Sequence, residues 1–110
     1  MYKEVQIGEK TVGMLANAAS PIFYKSLFHE DFLKATQAKE PDNEIVQKMG
    51  FIMAMNATHG AKEMMQLTYE QYVDWLISYE PMDLLNAAAD IMNVYTGTTL
   101  GSAVPKKPGE

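Results

Sequence analysis

Residues that commonly carry out chemistry are sparse in this sequence, and their spacing does not build a catalytic site. His29 and His59 are far apart in the chain, whereas a zinc or iron site needs three or four convergent ligands, usually including a locally spaced pair. We therefore expect both histidines at the surface or at helix ends. Cysteine is absent, which removes disulfides, thiolate ligands and thiol nucleophiles.

The nearest approach to paired catalytic carboxylates is Asp42 with Glu44 and Glu80 with Asp83. Each pair lies beside a proline at a predicted helix start, where the helix dipole favours negative charge. Helix capping therefore accounts for them without acid–base catalysis. The sequence also lacks a nucleophile elbow, a phosphate-binding loop and a dinucleotide fingerprint. We predict no catalytic residues, no metal site and no cofactor, and a protein that acts by binding other proteins.

The charge pattern narrows the range of partners. The formal net charge is −5, and all nine basic residues are lysines. Arginine supplies the bidentate fork that suits phosphates and guanine edges, so an acidic chain without it lacks the footprint that duplex binding requires. No apolar run approaches the ~20 residues of a membrane-spanning helix, and the N-terminus lacks a signal-peptide core. We expect a cytoplasmic protein with neither nucleic-acid nor membrane partners.

Secondary structure changes from strand to helix along the chain. Val5 and Ile7 alternate with polar residues ahead of a turn at Gly8-Glu9-Lys10, which predicts a β-hairpin over the first fifteen residues. A two-stranded ribbon is marginal alone in water, so it must pack on the protein or pair with another chain. Its open edges are therefore a candidate oligomerisation surface, and we expect a homo-oligomer.

Helical patterns follow from residue 20 onward. The first predicted helix starts at Ser20-Pro21, and the second starts at Asp31 and ends at Glu40-Pro41. The third starts at Asp42 or Asn43, with a possible extension over Ala61 to Gln66. The fourth starts at Thr68, with Gln71 in a capping box, and the last helix runs from Pro81 to Gly97. We predict a mainly α fold: a compact bundle of about five helices with an N-terminal β-hairpin. Residues 1–97 form its single domain, and residues 98–110 form a flexible tail.

Some apolar side chains fall outside the predicted core stripe of the third helix. That stripe comprises Ile45, Met49, Ile52, Met53 and Asn56. Phe51 and Met55 lie on a neighbouring stripe, and Trp75 and Tyr79 form an aromatic pair beside the stripe of the fourth helix. Met64 and Met65 are also off-stripe. A helix that is apolar on more than one face is either centrally buried or completed by a partner. Our hypothesis is that Phe51, Met55, Trp75 and Tyr79 contribute to a partner-binding surface, because methionine and aromatic side chains adapt to varied partners.

Four segments carry a resemblance to a known family. They are the hairpin Val5–Thr11, the aromatic helix running into Glu30–Leu33, the stretch Thr68–Leu76 with the sequence TYEQYVDWL, and the closing helix with Tyr95–Gly97 followed by a Lys/Pro tail. In this arrangement the whole chain resembles the small tail assembly chaperones of long-tailed bacteriophages and prophages.

The resemblance implies a function as well as a fold. Such proteins coat the apolar helical length of the tape-measure protein and recruit tail-tube subunits. They act in the cytoplasm of the bacterial host and are absent from the mature virion. The implied fold is a compact helical bundle that tends to oligomerise, and the family has no catalytic residues to transfer. The alternative is a small helical phage regulatory protein that binds DNA or another regulator, against which the absence of arginine and the net acidity argue.

Overall fold

A two-stranded hairpin precedes six helices in the described part of the chain. The computed structural model describes residues 1–37 and 42–97. Its elements are β1 (Tyr2–Ile7), β2 (Lys10–Leu15), α1 (Ser20–Phe28), α2 (Phe32–Thr36), α3 (Asn43–Asn56), α4 (Ala61–Met64), α5 (Tyr69–Ile77) and α6 (Pro81–Thr96). The mainly helical fold with an N-terminal hairpin is therefore confirmed. The predicted tail, 98–110, lies outside the described residues.

The hairpin forms because its turn and its alternating pattern agree. β1 and β2 pair antiparallel, with Val5 opposite Val12. Gly8 takes a φ of 63° at the first turn position, which is the glycine-dependent position of a type II′ turn. Val5, Ile7 and Met14 are buried against the helices while the opposite face stays open. The sheet thus covers one side of the helical core.

Capping chemistry sets most of the predicted helix boundaries. The Asp31 and Asp42 carboxylates accept hydrogen bonds from the backbone N–H groups of Lys34 and Glu44, at the starts of α2 and α3. The predicted capping box between Thr68 and Gln71 opens α5. At the end of α6, Gly97 takes the left-handed conformation with φ 74°. These boundaries confirm the predictions from local sequence.

Three boundary predictions are wrong. Ser20 is not the N-cap of α1: Ala19 holds that position, and the buried Ser20 hydroxyl accepts a hydrogen bond from the Asn17 N–H. The second helix ends at Thr36, before the predicted Glu40-Pro41 stop, whose residues lie outside the described ranges.

The third difference lies between residues 57 and 64. α3 ends at Asn56, and Gly60, with an extended ψ of 174°, starts the separate short helix α4. The extended glycine breaks the helical path, so residues 1–37 and 42–97 contain six helices where the sequence predicts about five.

α3 is the centre of the core. It contacts β2, α1, α2, α4, α5 and α6, and almost its whole second half is buried: Met49, Gly50, Phe51, Ile52, Met53, Ala54 and Asn56. The Asn56 side-chain amide donates to the Leu15 carbonyl of β2 at 3.1 Å, which satisfies a polar group at the edge of the core. The helix that is apolar on several faces is therefore enclosed by its own chain.

Aromatic rings form a continuous network across the bundle. Successive ring centroids lie 4.7–5.7 Å apart, within the range of favourable edge-to-face and tilted contacts. The order of the rings is Tyr95, Phe32, Tyr24, Phe28, Tyr72, Phe51, Trp75 and Tyr79. Each of the helices α1, α2, α3, α5 and α6 contributes at least one ring. The network ties the short helices α2 and α5 to the core, although each buries few residues of its own.

The hairpin turn docks against the junction of α5 and α6. The Lys10 ammonium donates to the Ser78 carbonyl at 3.0 Å and lies 4.9 Å from the centroid of the Tyr79 ring. A Cβ atom on Gly8 would lie 2.4 Å from a carboxylate oxygen of Asp83. Glycine at this turn therefore serves both the backbone conformation and the close approach of α6.

We predict that Gly8→Ala destabilises the fold by about 1–3 kcal/mol, because alanine resists the left-handed conformation and its methyl group collides with Asp83. Gly60→Ala is the matched control: Gly60 has a negative φ and its added methyl would meet only the movable end of the Glu63 side chain. Urea unfolding of the three proteins measures the difference. Equal stability of the two variants would contradict the account of the docked turn.

Candidate partner-binding surface

The structure brings three of the four predicted partner-binding residues together. The Phe51 and Trp75 ring centroids are 5.7 Å apart, and those of Trp75 and Tyr79 are 5.1 Å apart. Met55 lies one helical turn beyond Phe51 on α3 and is partly buried. Phe51 and Met55 thus lie on α3, Trp75 lies on α5, and Tyr79 lies just beyond the end of α5. Trp75 packs between the Phe51 and Tyr79 rings.

Their exposure divides the four residues. Phe51 is only 1% exposed, so its side chain is a core residue that supports Trp75 and is closed to a partner in this conformation. Met55, Trp75 and Tyr79 are half-buried. Burial raises the pKa of the Tyr79 hydroxyl above its ordinary value. The structure therefore leaves Met55, Trp75 and Tyr79 as partly accessible members of the predicted set.

Larger exposed apolar side chains lie at the end of α5 and along α6. Ile77 is 74% exposed, Met82 59% and Leu85 41%. Sequence reasoning placed none of these three side chains in the predicted partner-binding surface. The signal was present: Met82, Leu85 and Ala89 recur at i, i+3 and i+7, the spacing of one helix face.

The two methionines that precede α5 differ in their exposure to solvent. Met64 is buried in the core, whereas Met65 is exposed. The two histidines are exposed at helix ends, as predicted: His29 is the left-handed C-cap of α1, and His59 follows α3.

A polar cluster on the opposite side of the aromatic network joins α1 to α3. The Glu30 carboxylate accepts hydrogen bonds from the Tyr24 hydroxyl at 2.5 Å and from the Lys48 ammonium at 3.3 Å. The Lys48 ammonium also lies 5.2 Å from the centroid of the Phe28 ring. Tyr24 is completely buried, so this hydrogen bond satisfies its hydroxyl. The cluster therefore has a structural role, and its groups are occupied by one another.

Tyr72 contrasts with Tyr24. Its ring packs between those of Phe28 and Phe51, but its buried hydroxyl has no hydrogen-bond partner in the described part of the chain. Burial is the main cause that raises the pKa of both phenols above the ordinary value. An unpaired buried hydroxyl lowers the stability of the fold, so any stabilisation by Tyr72 comes from the packing of its ring.

Metal-ligating side chains are not clustered in the described part of the chain. Within residues 1–37 and 42–97, no group of three or more His, Asp or Glu side chains is placed to hold a metal ion. Over the same residues, no helix combines the length and hydrophobicity needed to cross a bilayer. Exposed apolar side chains on α5 and α6 are therefore the surface feature of this part of the chain that we consider for partner binding.

Comparison with known proteins identifies no matching family model, no matching curated protein and no matching solved structure.

The two buried tyrosines should respond oppositely to removal of the hydroxyl. We expect Tyr72→Phe to leave stability unchanged or raise it by up to about 1 kcal/mol, since it removes an unpaired polar atom. Tyr24→Phe should lower stability by about 1.5 kcal/mol, since it removes a hydrogen bond to a charged group. Chemical denaturation of both variants measures the contrast, and a larger loss for Tyr72→Phe would show that its hydroxyl has a partner in solution.

The polar cluster also predicts a dependence of stability on acid. The hydrogen bond from Tyr24, helped by the Lys48 ammonium and opposed by partial burial, lowers the pKa of the Glu30 carboxyl below its ordinary value of 4.5. Because the pKa is lower in the folded state, this stabilisation is complete above pH 4.5 and is lost as the pH falls through the folded-state pKa.

We therefore expect Glu30→Gln to flatten the acid limb of the stability curve below pH 4.5. Asp74→Asn is the control, because it removes the same charge from an exposed position on α5. Thermal melts across the acid range compare the two variants with the original protein. An acid limb that is equally steep in Glu30→Gln would exclude the cluster as its source.

Proposed function

We propose that this protein is a tail assembly chaperone of a long-tailed bacteriophage or prophage. In this role it binds the tape-measure protein and helps recruit tail-tube subunits. It acts in the cytoplasm of the bacterial host, without catalysis, and does not remain in the mature virion. The proposal starts from the resemblance of the four sequence segments and gains support from the distribution of apolar side chains.

The observation that carries the proposal is the two-sided apolar character of α6. One side of this helix is buried through Leu84, Ala87, Ile91 and Val94. The other side exposes Met82 and Leu85 to solvent. A chaperone for a long apolar helix needs such a surface, because the helix-in-groove mode of recognition relies on apolar contact along one helix face. Methionine suits this task, since its flexible side chain adapts to varied sequences.

Net acidity supports the same role. A protein that exposes large apolar side chains is prone to self-association, and a net charge of −5 opposes this and favours solubility. The same charge repels nucleic-acid phosphates, which disfavours the alternative function as a DNA-binding regulator.

Co-expression with the tape-measure protein of the same genome tests the function. We expect a complex of defined mass by size exclusion with light scattering, and soluble tape-measure protein that precipitates when expressed alone. A small acidic helical protein of unrelated origin is the control for non-specific solubilisation. The proposal fails if the tape-measure protein precipitates while this protein elutes separately. A gel shift of duplex DNA at low salt would instead support the regulator.

A further inference from the structure

The helix α6, which carries exposed apolar side chains on its outer side, is packed against the rest of the fold through its inner side. On the inner side, Leu84, Ala87 and Ile91 are buried against α3 and the hairpin. The outer side presents Met82, Leu85 and Ala89, which lie along one line at i, i+3 and i+7. We call these three residues the outer face of α6.

Charge around the outer face is one-sided. No lysine, arginine or histidine occurs from Glu63 through Gly97. The same stretch contains the six carboxylates of Glu63, Glu70, Asp74, Glu80, Asp83 and Asp90. On α6 itself, Asp83 and Asp90 are seven residues apart and therefore lie along the same flank of the outer face.

The basic group that reaches this region from elsewhere is already engaged. Lys10 lines a shallow depression with Ile77, Glu80 and Asp83, but its ammonium donates to the Ser78 carbonyl and lies over the Tyr79 ring. In the described part of the chain, the salt bridge is between Lys48 of α3 and Glu30, which follows α1. The carboxylates of α5 and α6 are thus left without an ion pair in that part of the chain.

The apolar residues and the neighbouring carboxylates together indicate which kind of molecule this face binds. An antiparallel contact with a second copy, about a two-fold axis perpendicular to α6, would set Asp83 and Asp90 of one protomer against the same flank of the other, and like charges brought together at an interface oppose association. An apolar strip beside a row of carboxylates complements a helix with apolar residues on one face and lysine or arginine along its margin.

We propose that the outer face of α6 docks an amphipathic helix bearing basic residues, with apolar side chains on Met82, Leu85 and Ala89 and ammonium or guanidinium groups beside Asp83 and Asp90. This inference rests on the proposed function and specifies the kind of tape-measure segment that this surface takes. It also makes the contact sensitive to ionic strength, because Asp90 is exposed to solvent and Asp83 is only partly buried.

Two synthetic helical peptides test the selection, one with leucine on one face and lysine on the other, and a matched peptide with glutamate in place of lysine. Fluorescence anisotropy measures their binding to the full chain. We expect the lysine peptide to bind, its affinity to fall as salt is raised, and the glutamate peptide to bind at least about ten-fold more weakly. Equal binding of the two peptides would overturn the inference.

Paired variants locate the contact. Leu85→Ser should weaken binding of the lysine peptide by about ten-fold or more, while Ile22→Ser, at an exposed position of α1, should leave it unchanged. Asp90→Lys should weaken binding, whereas Glu4→Lys makes the same change of net charge on the open face of the hairpin and should have a smaller effect. Equal effects within either pair would place the contact elsewhere.

Failure of this inference is distinguishable from failure of the proposed function. If the tape-measure complex forms and survives both Leu85→Ser and Asp90→Lys, the chaperone function stands and the outer face of α6 is not the docking site. If light scattering shows that Leu85→Ser converts an oligomer to a monomer without weakening peptide binding, the face joins copies of the protein and the inference is wrong.

Discussion

Burial of α3 on nearly all sides is the constraint on which the rest of the structure depends. An enclosed helix needs close neighbours in several directions, and Gly50 provides the closest approach. A Cβ atom there would lie 3.3 Å from Ile91 of α6 and 3.7 Å from the Trp75 ring of α5. The absence of a side chain thus allows the close approach of α6, while the Trp75 ring of α5 lies at ordinary van der Waals distance on the same turn of α3. Because α5 and α6 pack on α3 through their inner faces, their outer faces are held in fixed positions.

Local chemistry was predictable from sequence because its causes are local. Asp31, Asp42 and Thr68 cap helices through neighbours two or three residues away, and Gly97 ends α6 through its own backbone freedom. Ser20 shows the limit of this reasoning. Its hydroxyl accepts from Asn17, so the loop before α1, and not the helix itself, uses the polar group.

The candidate surface was less predictable because exposure is set by tertiary packing. Phe51 lies off the main apolar stripe of α3, yet it is buried because Tyr72 and Trp75 pack against its ring. Leu85 follows directly after Leu84 in a similar pattern, yet only Leu84 reaches the core. Hydrophobic periodicity finds the helix, but when two faces are apolar it does not say which face the rest of the protein covers.

The uneven distribution of lysines and carboxylates along the chain places negative charge beside the apolar outer face of α6. Up to Lys62 the lysines and carboxylates are balanced, so the net negative charge of the described part comes from the stretch from Glu63 to Gly97, which includes α5 and α6. This stretch therefore attracts a basic partner before contact. Because α6 is held by α3 on its inner side and by the hairpin turn at Asp83, little of this face must be ordered on binding. A preorganised face loses less conformational entropy on association, so fewer favourable contacts are needed for binding.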